Sequence, residues 1–234
     1  MARYCTIVTS ATLTCSAVCD FPTPGAYTWT VPSGVTEVTF EIWGPGGGGG
    51  AKCCCECYHG GPPGAGGGYS SVTVATAAGC AYAVCVGYGG MVTGVGSCTL
   101  HWCCYGQPGS TTYVTGFNLS NLCATGGDGG RNDCYYICGC NVNGGIGYGG
   151  TVVSCGSGGA NQGYSDAYFW RFAHAGAPPF TGASRPMTGD HCCPCMLGYP
   201  GVFPGGGGAT VMPNICCCCS QGGVGANGLV RIHF

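Results

Sequence analysis

Charged side chains are nearly missing from this sequence. Its 234 residues include six Lys or Arg and eight Asp or Glu, which is 6% of the chain, against roughly a quarter in an ordinary soluble domain. Lys52 is the only lysine. Neutralising a nucleic-acid backbone takes a cluster of basic residues, and six scattered ones cannot form it. We therefore expect no nucleic-acid partner.

Long apolar runs and helical periodicity are also missing. No stretch approaches the roughly twenty apolar residues that a membrane-spanning helix needs, so we expect no membrane insertion. The first twenty residues are rich in Thr and Ser, which does not predict a cleaved secretory signal. No window repeats apolar residues every three to four positions, and this predicts almost no α-helix.

Glycine is the most abundant residue, with 50 copies, and it is concentrated in tracts. Gly-rich tracts either serve as flexible linkers or pack side by side as extended helices whose backbone amides bond between neighbours. Disordered linkers would carry more charge and serine. The number and similar length of the tracts favour packed helices of the polyglycine-II type.

Alternating apolar residues predict β-strands between the glycine tracts. The runs Tyr27–Val31 and Thr36–Trp43 flank Pro32-Ser33-Gly34, a pattern typical of a β-hairpin or meander. In the second run Glu37 and Glu41 share the face opposite three apolar residues, so we expect that face to be solvated.

Two further patterns complete the predicted strands. Tyr69–Thr76 and Cys80–Gly87 are predicted to form a second strand pair, and 228–234 a closing strand. The chain divides into an N-terminal strand or attachment arm over 1–20 and a single glycine-rich β domain over 21–234. The predicted fold class is all-β with almost no α-helix.

Cysteine is unusually frequent, with 24 copies. Three clusters share a Cys-x-x-Cys spacing, which can ligate zinc or an iron–sulfur cluster, but the spacing also follows from consecutive cysteines. The even count and the small aliphatic content favour disulfides between separate loops. We therefore expect disulfides of unassigned pairing, with no metal and no cofactor, at Cys54, Cys57, Cys192, Cys195, Cys216 and Cys219.

Catalytic patterns are weak throughout the chain. The tract before Lys52 resembles a phosphate-binding loop, but Ala51 and Cys53 stand where that motif needs Gly and Ser or Thr. The eight acids and five histidines are scattered. We expect no enzymatic activity and assign no catalytic residue.

Two segments have the composition of recognition loops. Tyr164–Phe180 combines aromatic side chains with Arg171 and His174, and Cys192–Phe203 carries the aromatics Tyr199 and Phe203; aromatic and Arg side chains dominate binding hot spots. The alternative is that these aromatics pack under a glycine bundle that has no side chains of its own. The candidate binding residues are Tyr168, Trp170, Arg171, His174, Tyr199 and Phe203.

The run PGAYTWTVPSGVTEVTFEIWGPGGGGG, followed by GAGGGYSSVTV, AVCVGYGG, ATGGDGG and GLVRIHF, resembles glycine-rich domains of phage tail-fibre and virion proteins. The resemblance implies a small β-sandwich combined with packed polyglycine helices. It also implies a structural virion protein, in a tail fibre, an appendage or a capsid decoration.

The partners and location expected from this resemblance are those of an extracellular particle. They are other virion proteins, a host-surface receptor and further copies of the chain in a homo-oligomer. The alternative is a disulfide-cross-linked extracellular protein that forms fibres.

Overall fold

A computed structural model describes residues 18–50, 63–92, 105–130, 142–161, 173–183, 187–189, 196–213 and 220–234. These residues contain no helix, as the sequence predicts. Among them, no helix is long and apolar enough to cross a membrane. The strands are β1 (Val18–Phe21), β2 (Gly25–Thr30), β3 (Glu37–Trp43), β4 (Tyr69–Ala75), β5 (Ala81–Val86), β6 (Thr112–Gly116), β7 (Leu119–Ala124), β8 (Gly147–Tyr148), β9 (Val152–Ser154), β10 (Ala160–Asn161), β11 (Ala173–His174), β12 (Met187–Gly189), β13 (Met196–Leu197), β14 (Val211–Pro213), β15 (Ser220–Gln221) and β16 (Leu229–His233).

The longer strands form two antiparallel sheets of five strands each. Sheet I has the order β1-β16-β3-β4-β9, and sheet II has the order β2-β5-β6-β7-β8. The predicted closing strand is confirmed as β16, which lies between β1 and β3. The predicted boundary between residues 20 and 21 falls within β1.

The two sheets share one hydrophobic core. On β3, Val38, Phe40 and Ile42 are fully buried while Glu37 is exposed, which confirms the predicted alternation. The Phe40 ring of sheet I lies 4.9 Å, centroid to centroid, from the Tyr82 ring of sheet II. The Tyr82 hydroxyl inside this core donates to the Phe117 carbonyl and is also hydrogen-bonded to the Thr76 hydroxyl, each at 2.9 Å, so its polar atom is satisfied.

Both predicted strand pairs are wrong, although the strands themselves are present. β2 pairs with β5 and β3 pairs with β4, so each predicted hairpin is split between the two sheets. Two-residue turns hold consecutive strands in one sheet, whereas the connections after Thr30 and Ala75 are longer and carry the chain across the core. The sequential neighbours therefore face each other instead of pairing.

The segments between the strands form a second layer of organisation, which we call the glycine bundle. Its members are joined by backbone hydrogen bonds from one segment to another. The bundle comprises 44–50, 63–68, 87–92, 105–111, 125–130, 142–146, 155–161, 173–178, 196–201, 205–213 and 220–228.

Segment 44–50 lies at the centre of this bundle. Its amides and carbonyls bond to six other segments at N–O distances of 2.8 to 2.9 Å. Side chains would hold the backbones apart: a Cβ on Gly47 would overlap the carbonyl of Asp128, and one on Gly64 would overlap that of Gly47. The six partners are 63–68, 87–92, 105–111, 125–130, 205–213 and 220–228.

Candidate functional site

The glycine bundle has one end at the sheets and one end away from them, which we call the far end. Near the sheets, Gly44 donates to Gly68, and Gly228 donates to Gly87. Successive segments then run to the far end and return antiparallel, as the bridge between Val92 and Gly106 shows. At this end the described residues break off at six places, which leave out 51–62, 93–104, 131–141, 162–172, 190–195 and 214–219.

Several hydrogen bonds hold the far ends of these segments together. Gly130 donates to Gly48, Gly106 donates to Gly130, and Val142 donates to Gly159. The parallel pair β12–β14 and the parallel pair β13–β15 complete this end. Seventeen of the 24 cysteines belong to these six stretches, which lie outside the described residues.

The predicted recognition residues fall in three places. Tyr168, Trp170 and Arg171 lie outside the described residues. His174 lies in β11, where its backbone pairs with Ala160 near the far end.

Tyr199 and Phe203 are both about half exposed, at 49% and 47%. Tyr199 lies on the flank of the bundle, where its carbonyl accepts from Ala209. Phe203 lies in the turn that begins segment 205–213 near the sheets. These two candidates therefore lie along the side of the bundle and not at its far end.

The six predicted disulfide cysteines also lie outside the described residues. The five described cysteines, Cys19, Cys80, Cys85, Cys123 and Cys155, form no disulfide, so disulfides are not supported within the described part of the chain. Strand spacing explains why Cys85 and Cys123 form no disulfide with each other. Cys85 and Cys123 lie on β5 and β7 with β6 between them, about 10 Å apart at ordinary strand spacing, beyond the reach of a disulfide.

Two of these thiols are held in their protonated form. Burial, and secondarily the charge of Asp20, raise the pKa of Cys19 from 9.0 to about 11. Burial also raises the pKa of Cys123. Since the thiolate is the reactive species, both groups are less nucleophilic than an ordinary cysteine.

Most of the described charge is collected on the outer face of sheet I. Arg231 donates two hydrogen bonds to the buried carboxylate of Asp20, at 2.7 and 2.9 Å. The guanidinium also lies 6.0 Å from the centroid of the Trp43 ring, within cation–π range. A two-pronged pair of this kind fixes both side chains and ties β1 to the last strand of the chain.

A second polar group lies beside it on the same face. Glu41 accepts from the Tyr69 hydroxyl at 2.8 Å and is 2.6 Å from Nε2 of His233. Burial, together with the hydrogen bond to Glu41, raises the pKa of Tyr69 to about 12. Tyr69 also contacts Phe180, whose ring is 76% exposed and whose backbone has a φ of 66°.

The charged side chains on this face pair with other groups of the protein and so stabilise the fold. Each charged group of the two clusters is bonded to another protein group, and the described residues include no group of three His, Cys, Asp or Glu placed to hold a metal ion. The sequence showed the acids of β3, but Asp20 and Arg231 are 211 positions apart and no local pattern links them.

Sequence reasoning also missed a set of exposed apolar side chains on the bundle. Tyr88 and Met91 are 64% and 68% exposed, and Val224 is 46% exposed. The signal that could have found the first two is their spacing of three residues with only glycines between them, since a helix with three residues per turn places such positions on one side.

Comparison with known proteins identifies a family. A family model described as a glycine-rich domain matches residues 22–234, which is nearly the whole chain and includes β2 to β16 and the glycine bundle but not β1. A search of curated proteins found no match. Because the family model spans almost all of the described fold, the chain belongs to the glycine-rich domain family.

Proposed function

We propose that the glycine bundle consists of packed polyglycine-II helices mounted on a β-sandwich. Helices of this type have no internal hydrogen bonds, so their amides must pair with neighbouring helices. The bonding of segment 44–50 to six other segments supports this proposal, because a hexagonal array gives each inner helix six neighbours. The shared core of Phe40 and Tyr82 supports the sandwich.

We propose further that the protein is a structural component of a virion, in a tail fibre, an appendage or a capsid decoration. In this role it has no enzymatic activity and binds other virion proteins and a host-surface receptor through the inserts. By inserts we mean the six stretches of chain that connect the described segments at the far end. One observation carries the proposal: the described segments on either side of six stretches of chain break off at the same end of the bundle. A bonded bundle whose connections meet at one end is a scaffold suited to recognition.

The glycine segments themselves are poorly suited to specific binding. Their amides already pair within the bundle, and their glycines offer no side chains. Specificity must therefore come from the inserts, and the insert between Asn161 and Ala173 carries Tyr168, Trp170 and Arg171. Aromatic and Arg side chains supply most of the binding energy in typical protein interfaces.

The test is the substitution Trp170→Ala, measured by cosedimentation of purified protein with particles assembled without it. Truncating a contact aromatic weakens binding by about 2 kcal/mol or more, which is roughly thirtyfold. Phe117→Ala is the matched control, because Phe117 is 48% exposed in the β6–β7 turn, at the opposite end of the sheets. A steep fall in melting temperature with unchanged attachment would instead make Trp170 a core residue.

A disulfide-cross-linked fibre is the second candidate function. Cys155 is exposed, and Cys80, Cys85 and Cys123 are partly exposed, so the described part offers thiols for links between chains. Electrophoresis without reductant separates the two functions. Covalent ladders that collapse on reduction would favour the fibre, whereas a single-chain band with few alkylatable thiols would favour links among the inserts of one chain.

A further inference from the structure

One flank of the glycine bundle is an apolar surface built from three neighbouring segments. Gly225 donates to Gly90, and Gly201 donates to Val224, both at 2.8 Å. These bonds place segment 220–228 between segments 87–92 and 196–201. We call this surface the apolar flank and define it by the exposed side chains of Tyr88, Met91, Tyr199 and Val224.

Hydrogen bonds on the inner side show that the middle segment turns one side outward. Its Gly223 and Ala226 carbonyls accept from Gly49 and Gly46 of the central segment, and its Gly223 and Ala226 amides donate to segment 205–213. Segments 44–50 and 205–213 therefore lie on the inner side of segment 220–228, and segments 87–92 and 196–201 lie beside it. Val224 projects from the remaining side and is 46% exposed.

Side chains and glycines alternate along this flank. Tyr88 and Met91 project from segment 87–92, where Gly89 and Gly90 separate them. Gly222, Gly223 and Gly225 likewise leave gaps around Val224. A surface with projecting side chains and side-chain-free gaps can be complementary to itself under a two-fold rotation, which is the requirement of an isologous interface.

The flank carries no charge. Segments 87–92, 196–201 and 220–228 contain no Asp, Glu, Lys, Arg or His. Two copies could therefore approach without like-charge repulsion and without burying an unpaired ion, the two effects that most strongly oppose association. The charges on sheet I lie on strands β1, β3 and β16, outside these three segments.

The exposed area reaches the lower limit of a specific interface. The exposed fractions are 64%, 68%, 49% and 46% for Tyr88, Met91, Tyr199 and Val224. An aromatic side chain presents about 150–250 Å² in full, and Met and Val somewhat less, so the flank exposes roughly 400–500 Å² per copy. Two copies would bury about 800–1,000 Å², the size of a weak, reversible interface.

We propose that the apolar flank is the surface through which two copies of this chain associate, related by a two-fold axis. This inference rests on the homo-oligomer of the proposed function and names its interface.

The experiment measures self-association by sedimentation equilibrium between 1 and 100 µM protein, with a thiol reductant present so that no disulfide contributes. Val224→Glu puts a charge at the centre of the flank, and Met91→Glu puts one on its neighbour. Val153→Glu is the matched control, since Val153 is 53% exposed on β9, away from the flank. Melting temperatures establish that every variant is folded.

We expect the wild-type chain to dimerise and each flank variant to raise the dimer dissociation constant at least 100-fold, because each interface would bury the new charge twice. Val153→Glu should dimerise like the wild type. A monomeric wild type at 100 µM would overturn the proposal, as would flank variants that dimerise normally or a control that loses association equally. Attachment of the Trp170→Ala variant is a separate readout, so failure of the flank and failure of the recognition role are distinguishable.

Discussion

A methyl group added at the centre of the glycine bundle should destabilise the whole protein. Gly47 lies in the segment that six others surround, and its Cβ position overlaps the carbonyl of Asp128. That carbonyl cannot move freely, because it accepts from the Ala65 amide at 2.9 Å. The substitution Gly47→Ala can therefore be accommodated only if segments separate.

The magnitude follows from the bonds that separation would weaken. Overpacking alone costs about 1–3 kcal/mol. Gly47 donates to Ala65 and accepts from Gly208, and each weakened bond adds about 1 kcal/mol. Ala restricts the unfolded chain more than Gly does, and this offsets about 0.4–1 kcal/mol of the lost stability. We expect a net loss of about 3 kcal/mol, which for a chain of this size lowers the melting temperature by roughly 10 °C.

The assay is equilibrium unfolding in urea, with Gly182→Ala as the matched control. A Cβ at Gly182 meets nothing within 4 Å, so this variant should unfold within about 0.5 kcal/mol of the wild type. If Gly47→Ala were as stable as Gly182→Ala, the segments would not be closely packed and the account of the bundle would be refuted.

Three further predictions concern the sheets. Tyr82→Phe removes the hydroxyl that is hydrogen-bonded to Thr76 and to the Phe117 carbonyl, and urea unfolding should show a loss of about 1–2 kcal/mol; a neutral result would mean that the hydroxyl contributes no net stability. Arg231→Leu leaves the buried carboxylate of Asp20 without its partner. It should lower stability by about 1–3 kcal/mol at neutral pH, and Asp20→Asn in the same background should recover part of the loss. Because the pKa of Cys19 is about 11 in the folded protein against 9.0 ordinarily, stability should be complete below pH 9 and fall as the pH rises to 11, when only the unfolded thiol ionises. Cys19→Ala should show a shallower alkaline decline in the same titration, and parallel curves would contradict the shift.

The strands of this protein could be predicted because their side chains carry the information. Val38, Phe40 and Ile42 alternate with Glu37 and Glu41, and the structure buries the first set. The closing strand and the lack of helix in the described residues followed from the same kind of local pattern. Strand pairing could not be predicted, because two adjacent strands with one apolar face each can either pair or face each other across a core.

The binding residues were harder to infer than the strands. Aromatic composition singled out Tyr199 and Phe203, which the structure places on the bundle side. It did not single out Tyr88, Met91 and Val224, which stand alone among glycines. Their shared exposure depends on which segments are neighbours, and that information is not local.

The sequence by itself located β2 to β5 and the closing strand β16, indicated which face of β3 is buried, and favoured backbone pairing of the glycine tracts. Only the tertiary structure showed β6 and β7, decided which tract lies beside which, and brought Asp20 to Arg231. The physical reason is that glycine amides are chemically identical along a tract. They require partners but do not distinguish among them, so the sheets, which anchor one end of most segments, select the arrangement.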